Sequence, residues 1–173
     1  VFTFGSNEYL ALGIGKDYKS FKYTHIPQKI DVPSCKQISC GSSFVICLTE
    51  TNELYSHGSN KFGELGLNRR THYYNSPQKI ESLQDIDFVE CGSSFTFCKD
   101  FNNKIYCWGN NFHGQLGIGN NKTQRAPITC DFPHDIIDIK CGMNHAIILT
   151  SNHEVYSCGN NYNNELGRPL DID

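Results

Sequence analysis

The sequence lacks any run approaching the roughly 18 consecutive apolar residues that a membrane-crossing helix needs, and its start carries no signal-peptide pattern. A membrane protein is excluded on that reading. It also lacks an excess of charge of either sign: the formal net charge is −3 and the sequence pI is about 6.2. The long-range field that gathers nucleic acid or anionic lipid is therefore missing, and binding of nucleic acid by this segment is not expected. No Cys-x-x-Cys pair occurs among the nine cysteines, an odd number. Neither a closed disulfide framework nor a zinc ribbon is suggested, and free thiols point to a reducing compartment, cytoplasm or nucleus. Helical spacing of apolar residues is nowhere sustained.

What the 173 residues do contain is a repeat. The segments Val1-Phe-Thr-Phe-Gly5, Leu54-Tyr-Ser-His-Gly58, Ile105-Tyr-Cys-Trp-Gly109 and Val155-Tyr-Ser-Cys-Gly159 align, with their glycines 53, 51 and 50 residues apart. A Leu-Gly landmark recurs at Gly13, Gly66, Gly117 and Gly167, and a Cys-Gly landmark at Gly41, Gly92 and Gly142. Pro27, Pro77 and Pro127 keep step. The units run approximately over 1–53, 54–104 and 105–154, with a partial fourth over 155–173, and leave no room for a separate catalytic domain. A start at Val1 and a stop at Asp173 in mid-pattern read as a piece of something longer.

Each unit reads as four short strands; in the second these are Leu54 to His57, Gln78 to Ile80, Phe88 to Glu90 and Phe95 to Lys99. The stretches 50–53, 101–104 and 151–154 join one unit to the next as hairpins. Four strands in about fifty residues predict an all-β propeller blade, whose face is buried only when neighbouring blades stack on it. The repeated glycines are expected at positive φ or at close chain approaches, Gly41, Gly92 and Gly142 doing so before the innermost strand. A phosphate-cradling loop is not indicated, because no Gly-Lys-Ser/Thr follows any of them.

Tyr106-Cys-Trp-Gly-Asn-Asn-Phe-His-Gly-Gln-Leu-Gly-Ile-Gly119, followed by Cys141-Gly-Met-Asn-His-Ala-Ile-Ile-Leu-Thr150 with Pro127 between, resembles the regulator of chromosome condensation repeat. The double glycine of kelch repeats and the Trp-Asp pair of WD repeats are absent. The resemblance spans the whole chain and implies a seven-bladed propeller, of which three blades and the start of a fourth are present. The family's Trp survives only at Trp108, with Phe4, His57 and Cys158 in its place, and its His only at His145, with Phe44 and Phe95 in its place. These differences read as packing choices. Leu10 stands where Gly63 and Gly114 occur, which suggests a relaxed first loop.

Chemistry is weakly represented. Seven histidines show no metal-ligand spacing, and Cys40, Cys91 and Cys141, being repeat equivalents, are expected at similar depth as buried thiols. Asp85, Asp87, Asp135 and Asp138 read as solvated loop charges in the connections before third strands. No catalytic, cofactor or metal residue is assigned and no cofactor is expected. Lys61, Arg69 and Arg70, with His72, form the most basic stretch; it reads as an exposed loop edge, which Glu64 and Asp85 are available to balance, and the alternative is contact with an acidic protein partner.

The function these features imply is a protein-interaction scaffold whose variable loops, Gly15 to His25, Arg69 to Asn75 and Asn120 to Arg125, face a protein partner. The family resemblance implies two alternatives: guanine nucleotide exchange on a small Ras-like GTPase, and targeting within a multidomain ubiquitin ligase, kinase or Rho-type exchange factor. Exchange in the founding family member uses an inserted wedge, for which no segment here is a candidate. Ring closure needs the missing blades or a second copy.

Overall fold

The computed structural model describes residues 1–16 and 21–168. The chain is a partial β-propeller of thirteen strands among the described residues. In order these are β1 (Phe2–Ser6), β2 (Tyr23–Lys29), β3 (Cys35–Cys40), β4 (Phe44–Thr49), β5 (Leu54–Ser59), β6 (Tyr73–Lys79) and β7 (Ile86–Cys91). They continue as β8 (Phe95–Asp100), β9 (Ile105–Gly109), β10 (Gln124–Cys130), β11 (Ile136–Cys141), β12 (His145–Thr150) and β13 (Val155–Gly159). A short 3-10 turn at Glu8–Leu10 lies between β1 and β2. No described helix is long and apolar enough to cross a membrane.

The sheets straddle the sequence units. β3-β4-β5-β6 and β7-β8-β9-β10 are complete four-stranded antiparallel blades, each built from the last two strands of one unit and the first two of the next. β1-β2 forms the outer half of a blade, and among the described residues β11-β12-β13 has no outer strand. The hairpins over 50–53, 101–104 and 151–154 thus lie inside sheets and join the two middle strands. Each places one residue in the left-handed region, Asn52, Asn103 or His153, as so tight a reversal requires.

The second strands are longer than the apolar pattern indicates, β6 beginning at Tyr73 rather than Gln78. They are outer edge strands, so their polar residues need no alternation. The repeated prolines sit in them at irregularities of the register: Pro27 between the Thr24 and Gln28 pairs, Pro77 between Tyr74 and Gln78, Pro127 between Gln124 and Ile128. A residue without an N–H is tolerated there and not in an inner strand.

Apolar packing lies between blades. Phe44, Ile46, Leu48, Leu54 and Leu65 of one blade meet Val89, Cys98 and Trp108 of the next in one buried cluster. A second joins Phe95, Phe97, Ile105 and Leu116 to Ile136, Ile139, Ala146 and Ile148. Polar bonds cross the same joints at the innermost strands. The Gln37 side chain donates to the Val89 carbonyl at 2.7 Å and accepts from the Val89 N–H at 3.2 Å, and the Cys91 N–H donates to Ser39 Oγ at 2.9 Å.

Two cysteine expectations are corrected. Cys107 and Cys130 are joined as a disulfide between β9 and β10, so not all nine thiols are free. Cys40, Cys91 and Cys141 differ in depth, being exposed, buried and half-buried. Cys91 is covered by β3 on one side, whereas the β1-β2 half-blade has no inner strand to cover Cys40.

Candidate functional site

The connections from first to second strand occupy the same end of successive blades, and each is built around one buried asparagine. In the described loops, Asn7, Asn60, Asn111 and Asn161 accept through their side-chain oxygen from the N–H of Leu12, Leu65, Leu116 and Leu166 at 3.0–3.3 Å. Their amide nitrogens reach the far side of the loop. Asn60 donates to the carbonyls of Arg69 and Thr71, Asn111 to those of Asn120 and Lys122, Asn7 to Phe21 and Asn161 to Arg168. A buried amide satisfied on both sides holds a long connection in one shape. The repeat pattern alone does not mark these residues as struts, although they follow Gly5, Gly58, Gly109 and Gly159 by two positions in every unit.

The Leu-Gly landmark closes the loop. Gly13, Gly66, Gly117 and Gly167 all have φ between +64 and +69°. Three of them also leave room for a side chain near the end of the next first strand: His57 against Gly13, Trp108 against Gly66 and Cys158 against Gly117. Trp108 Nε1 donates to the Glu64 carbonyl at 2.8 Å and Cys158 Sγ to the Gln115 carbonyl at 3.3 Å; His57 bonds the Ala11 carbonyl in the same way. The interchange of His, Trp and Cys is thus one packing position with one donor. Gly5, Gly58, Gly109 and Gly159 have φ of 100–109°. Gly41, Gly92 and Gly142 do not have positive φ, and they follow the innermost strand; their missing Cβ makes room for the rings of Phe44, Phe95 and His145. Leu10 takes the left-handed conformation, φ 63°, that Gly63 and Gly114 take. The first loop keeps the hydrogen bonds of the common turn, Leu10 N–H to the Asn7 carbonyl as Gly63 N–H to that of Asn60. Its backbone departs from the others, because Tyr9 is left-handed as well, φ 57°, and both residues sit in a costly region.

The basic residues lie on this end of the propeller. Lys61, Arg69 and Arg70 are exposed, and neither Glu64 nor Asp85 balances them. Glu64 is buried, accepting from Ser59 Oγ at 2.7 Å and from the Phe62 N–H at 2.6 Å. Of the other carboxylates, Asp87 and Asp138 stand within β7 and β11 and face Lys99 and Lys140 at 3.7 and 2.9 Å. Adjacent loops touch across blade borders: the Gly15 N–H donates to the Asn75 carbonyl at 2.6 Å and the Asn68 N–H to the Arg125 carbonyl at 3.1 Å. Parts of all three variable loops therefore share one rim, Asp17 to Ser20 of the first lying outside the described residues.

Nucleophilic chemistry finds no support in the thiols. Burial pushes those of Cys47 and Cys91 up to about 12 and that of Cys158 up to about 11, and it raises Cys98 and Cys141 as well. Among the described residues no three His, Cys, Asp or Glu side chains converge as metal ligands would.

Comparison with known proteins matches this architecture. The model of the regulator of chromosome condensation (RCC1) repeat fits residues 1–48, 51–98 and 102–149. The chain belongs to the RCC1 repeat family. A second model of the RCC1 repeat fits 35–64, 86–115 and 136–165, close to the frame in which third, fourth and first strands share a sheet. Among curated relatives, the chain is 28% identical over 133 residues to the mouse serine/threonine-protein kinase Nek9, covering 73% of this chain and 13% of the kinase. It is 30% identical over 102 residues to the human probable E3 ubiquitin-protein ligase HERC3, covering 58% of this chain and 10% of the ligase. The RCC1 repeats here therefore correspond to about an eighth or less of those relatives. Among solved structures, Prp20p of Saccharomyces cerevisiae superposes with a TM-score of 0.83 at 23% identity, over 98% of this chain and 43% of that one.

Proposed function

We propose that these RCC1 repeats form a protein-interaction scaffold, a rigid partial propeller that presents its first-to-second-strand loops to a protein partner. One observation carries the reading: in the two complete blades shared positions such as Leu54, Ile105, Cys91 and the struts Asn60 and Asn111 are buried, while described parts of the varying loops meet on one exposed rim. Rigid support with variable loops is the usual division of labour in recognition. The matched relatives include a kinase and a probable ubiquitin ligase many times longer than this chain, which supports a targeting role within a larger protein. In this reading Lys61, Arg69 and Arg70 contact the partner.

Alanine blocks over 69–72 and 120–123 test it, read by cross-linking to endogenous partners with circular dichroism as the folding control. The expected result is loss of cross-links with the β spectrum retained. Partners that cross-link to both block variants as to the parent would refute the reading. Nucleotide exchange on a small GTPase, the alternative implied by the family, is measured by release of fluorescent GDP from a panel of small GTPases. The spontaneous rate is expected.

A further inference from the structure

The loop rim exposes more aromatic surface than the fold requires. Phe112 is 60% exposed and Tyr162 81%. Each follows its loop's asparagine strut by one position, while Phe62 and His113 follow theirs by two, and the rings meet across blade borders. Phe62 and Phe112 are edge to face with centroids 5.7 Å apart, His113 and Tyr162 likewise at 6.3 Å. Further along the rim Tyr9 stacks on Tyr73 at 5.7 Å. Rings set one per blade on a rigid support form a ready apolar track, and aromatic side chains are the residues that interface cores favour.

The same rim is cationic. The Lys61 ammonium lies 5.4 Å from the Phe62 ring, and the Arg125 guanidinium donates to the Lys61 carbonyl at 3.1 Å. The Asn68–Arg125 backbone bond sets the loop bearing Arg69 and Arg70 beside them. None of these four exposed cations takes part in an ion pair among the described residues. Glu64, which sequence alone offers as a counter-charge, is committed inside its own loop. A protein of net charge −3 thus carries a locally positive rim around an aromatic track.

We propose that this rim docks an acidic peptide segment of the partner protein, its apolar anchors on Phe62, Phe112 and Tyr162 and its carboxylates on Lys61, Arg69, Arg70 and Arg125. The proposal rests on the scaffold reading and adds the partner's chemistry. Cations around exposed rings also suit single-stranded nucleic acid, but the chain's overall negative charge opposes a polyanion with far more charge than a short peptide.

The test is an array of randomised peptides of about 12 residues, probed with the labelled protein at about 0.15 M salt. Bound peptides are expected to be enriched in Asp and Glu together with aromatic or leucine residues. In solution, Arg69→Glu/Arg70→Glu and Phe112→Ser/Tyr162→Ser should each weaken the selected peptides about tenfold or more, the first also flattening the salt dependence and the second leaving it intact. All four side chains are exposed, so both variants should keep the parent circular dichroism. Enrichment of neutral or basic peptides, no enrichment, or tighter binding of a single-stranded RNA oligonucleotide at the same residues overturns the proposal. Acidic peptides that ignore both variants overturn it too, while the scaffold reading then stands or falls by its own cross-links.

Discussion

His57, Trp108 and Cys158 take the same position near the end of their first strands, and the three differ in what acid does to them. The indole and thiol donors stay neutral down the acid range, but His57 is an imidazole with 1% exposure and no partner for Nδ1. Burial lowers its pKa to about 4, opposed only in part by the bond to the Ala11 carbonyl. In the unfolded chain the ring titrates near its ordinary value of about 6.5, so the unfolded state takes up the proton first. Stability from this residue is complete above that value, falls as pH drops through the window from about 6.5 to about 4, and levels off below it. The loss approaches about 3 kcal/mol. The urea midpoint should fall across that window, and His57→Phe should flatten the fall relative to the parent. An equal drop in both proteins would mean that other groups set the acid response. That this is a packing position could be read from the repeat, but not what covers it, because Gly13 and the Ala11 carbonyl belong to the preceding unit.

The loop element has a comparable dependence on one side chain. Asn111 bonds Leu116 N–H at 3.0 Å and the carbonyls of Asn120 and Lys122 at 2.7 and 3.2 Å. Asn111→Ala removes all three and leaves buried backbone groups unmatched, a cost of about 3 kcal/mol. A fall in denaturant midpoint of that size is expected, together with faster hydrogen exchange at Leu116. A midpoint within error of the parent would show that the closing Gly117 turn alone holds the loop. Glycines, prolines and apolar strands announced themselves in the sequence because each answers a local backbone demand. The asparagine struts are equally periodic, yet Asn is also common in loops that need no strut, so periodicity without the bonding partners does not distinguish them.

At the scale of the molecule, two sheets are unfinished. Among the described residues β1 pairs only with β2 and β13 only with β12, and Phe2 and Phe4 are each 66% exposed on the open half-blade. Unpaired edges beside exposed rings bind further strands readily. The 19.6 kDa chain is therefore expected to associate, with a second copy or with further blades supplied in trans, in a concentration-dependent way by sedimentation velocity. A single monomeric species across concentrations would contradict this.

The sequence by itself determined the repeat, its four-strand content, the family and the places where glycine or proline must stand, because these follow from period and from backbone constraints within one unit. The pairing of β4 with β5 was legible in the hairpin over 50–53, but that β3 and β6 complete the same sheet, so that each blade straddles two units, was decided by the tertiary structure. The depths of Cys40, Cys91 and Cys141, and the joining of Cys107 to Cys130, depend on which strands lie alongside. The aromatic and cationic rim belongs to the same class. Its ring positions recur one and two residues after the struts, but which rings meet is not in the period: stacking the blades is what sets Phe62 against Phe112 and Arg125 beside Lys61.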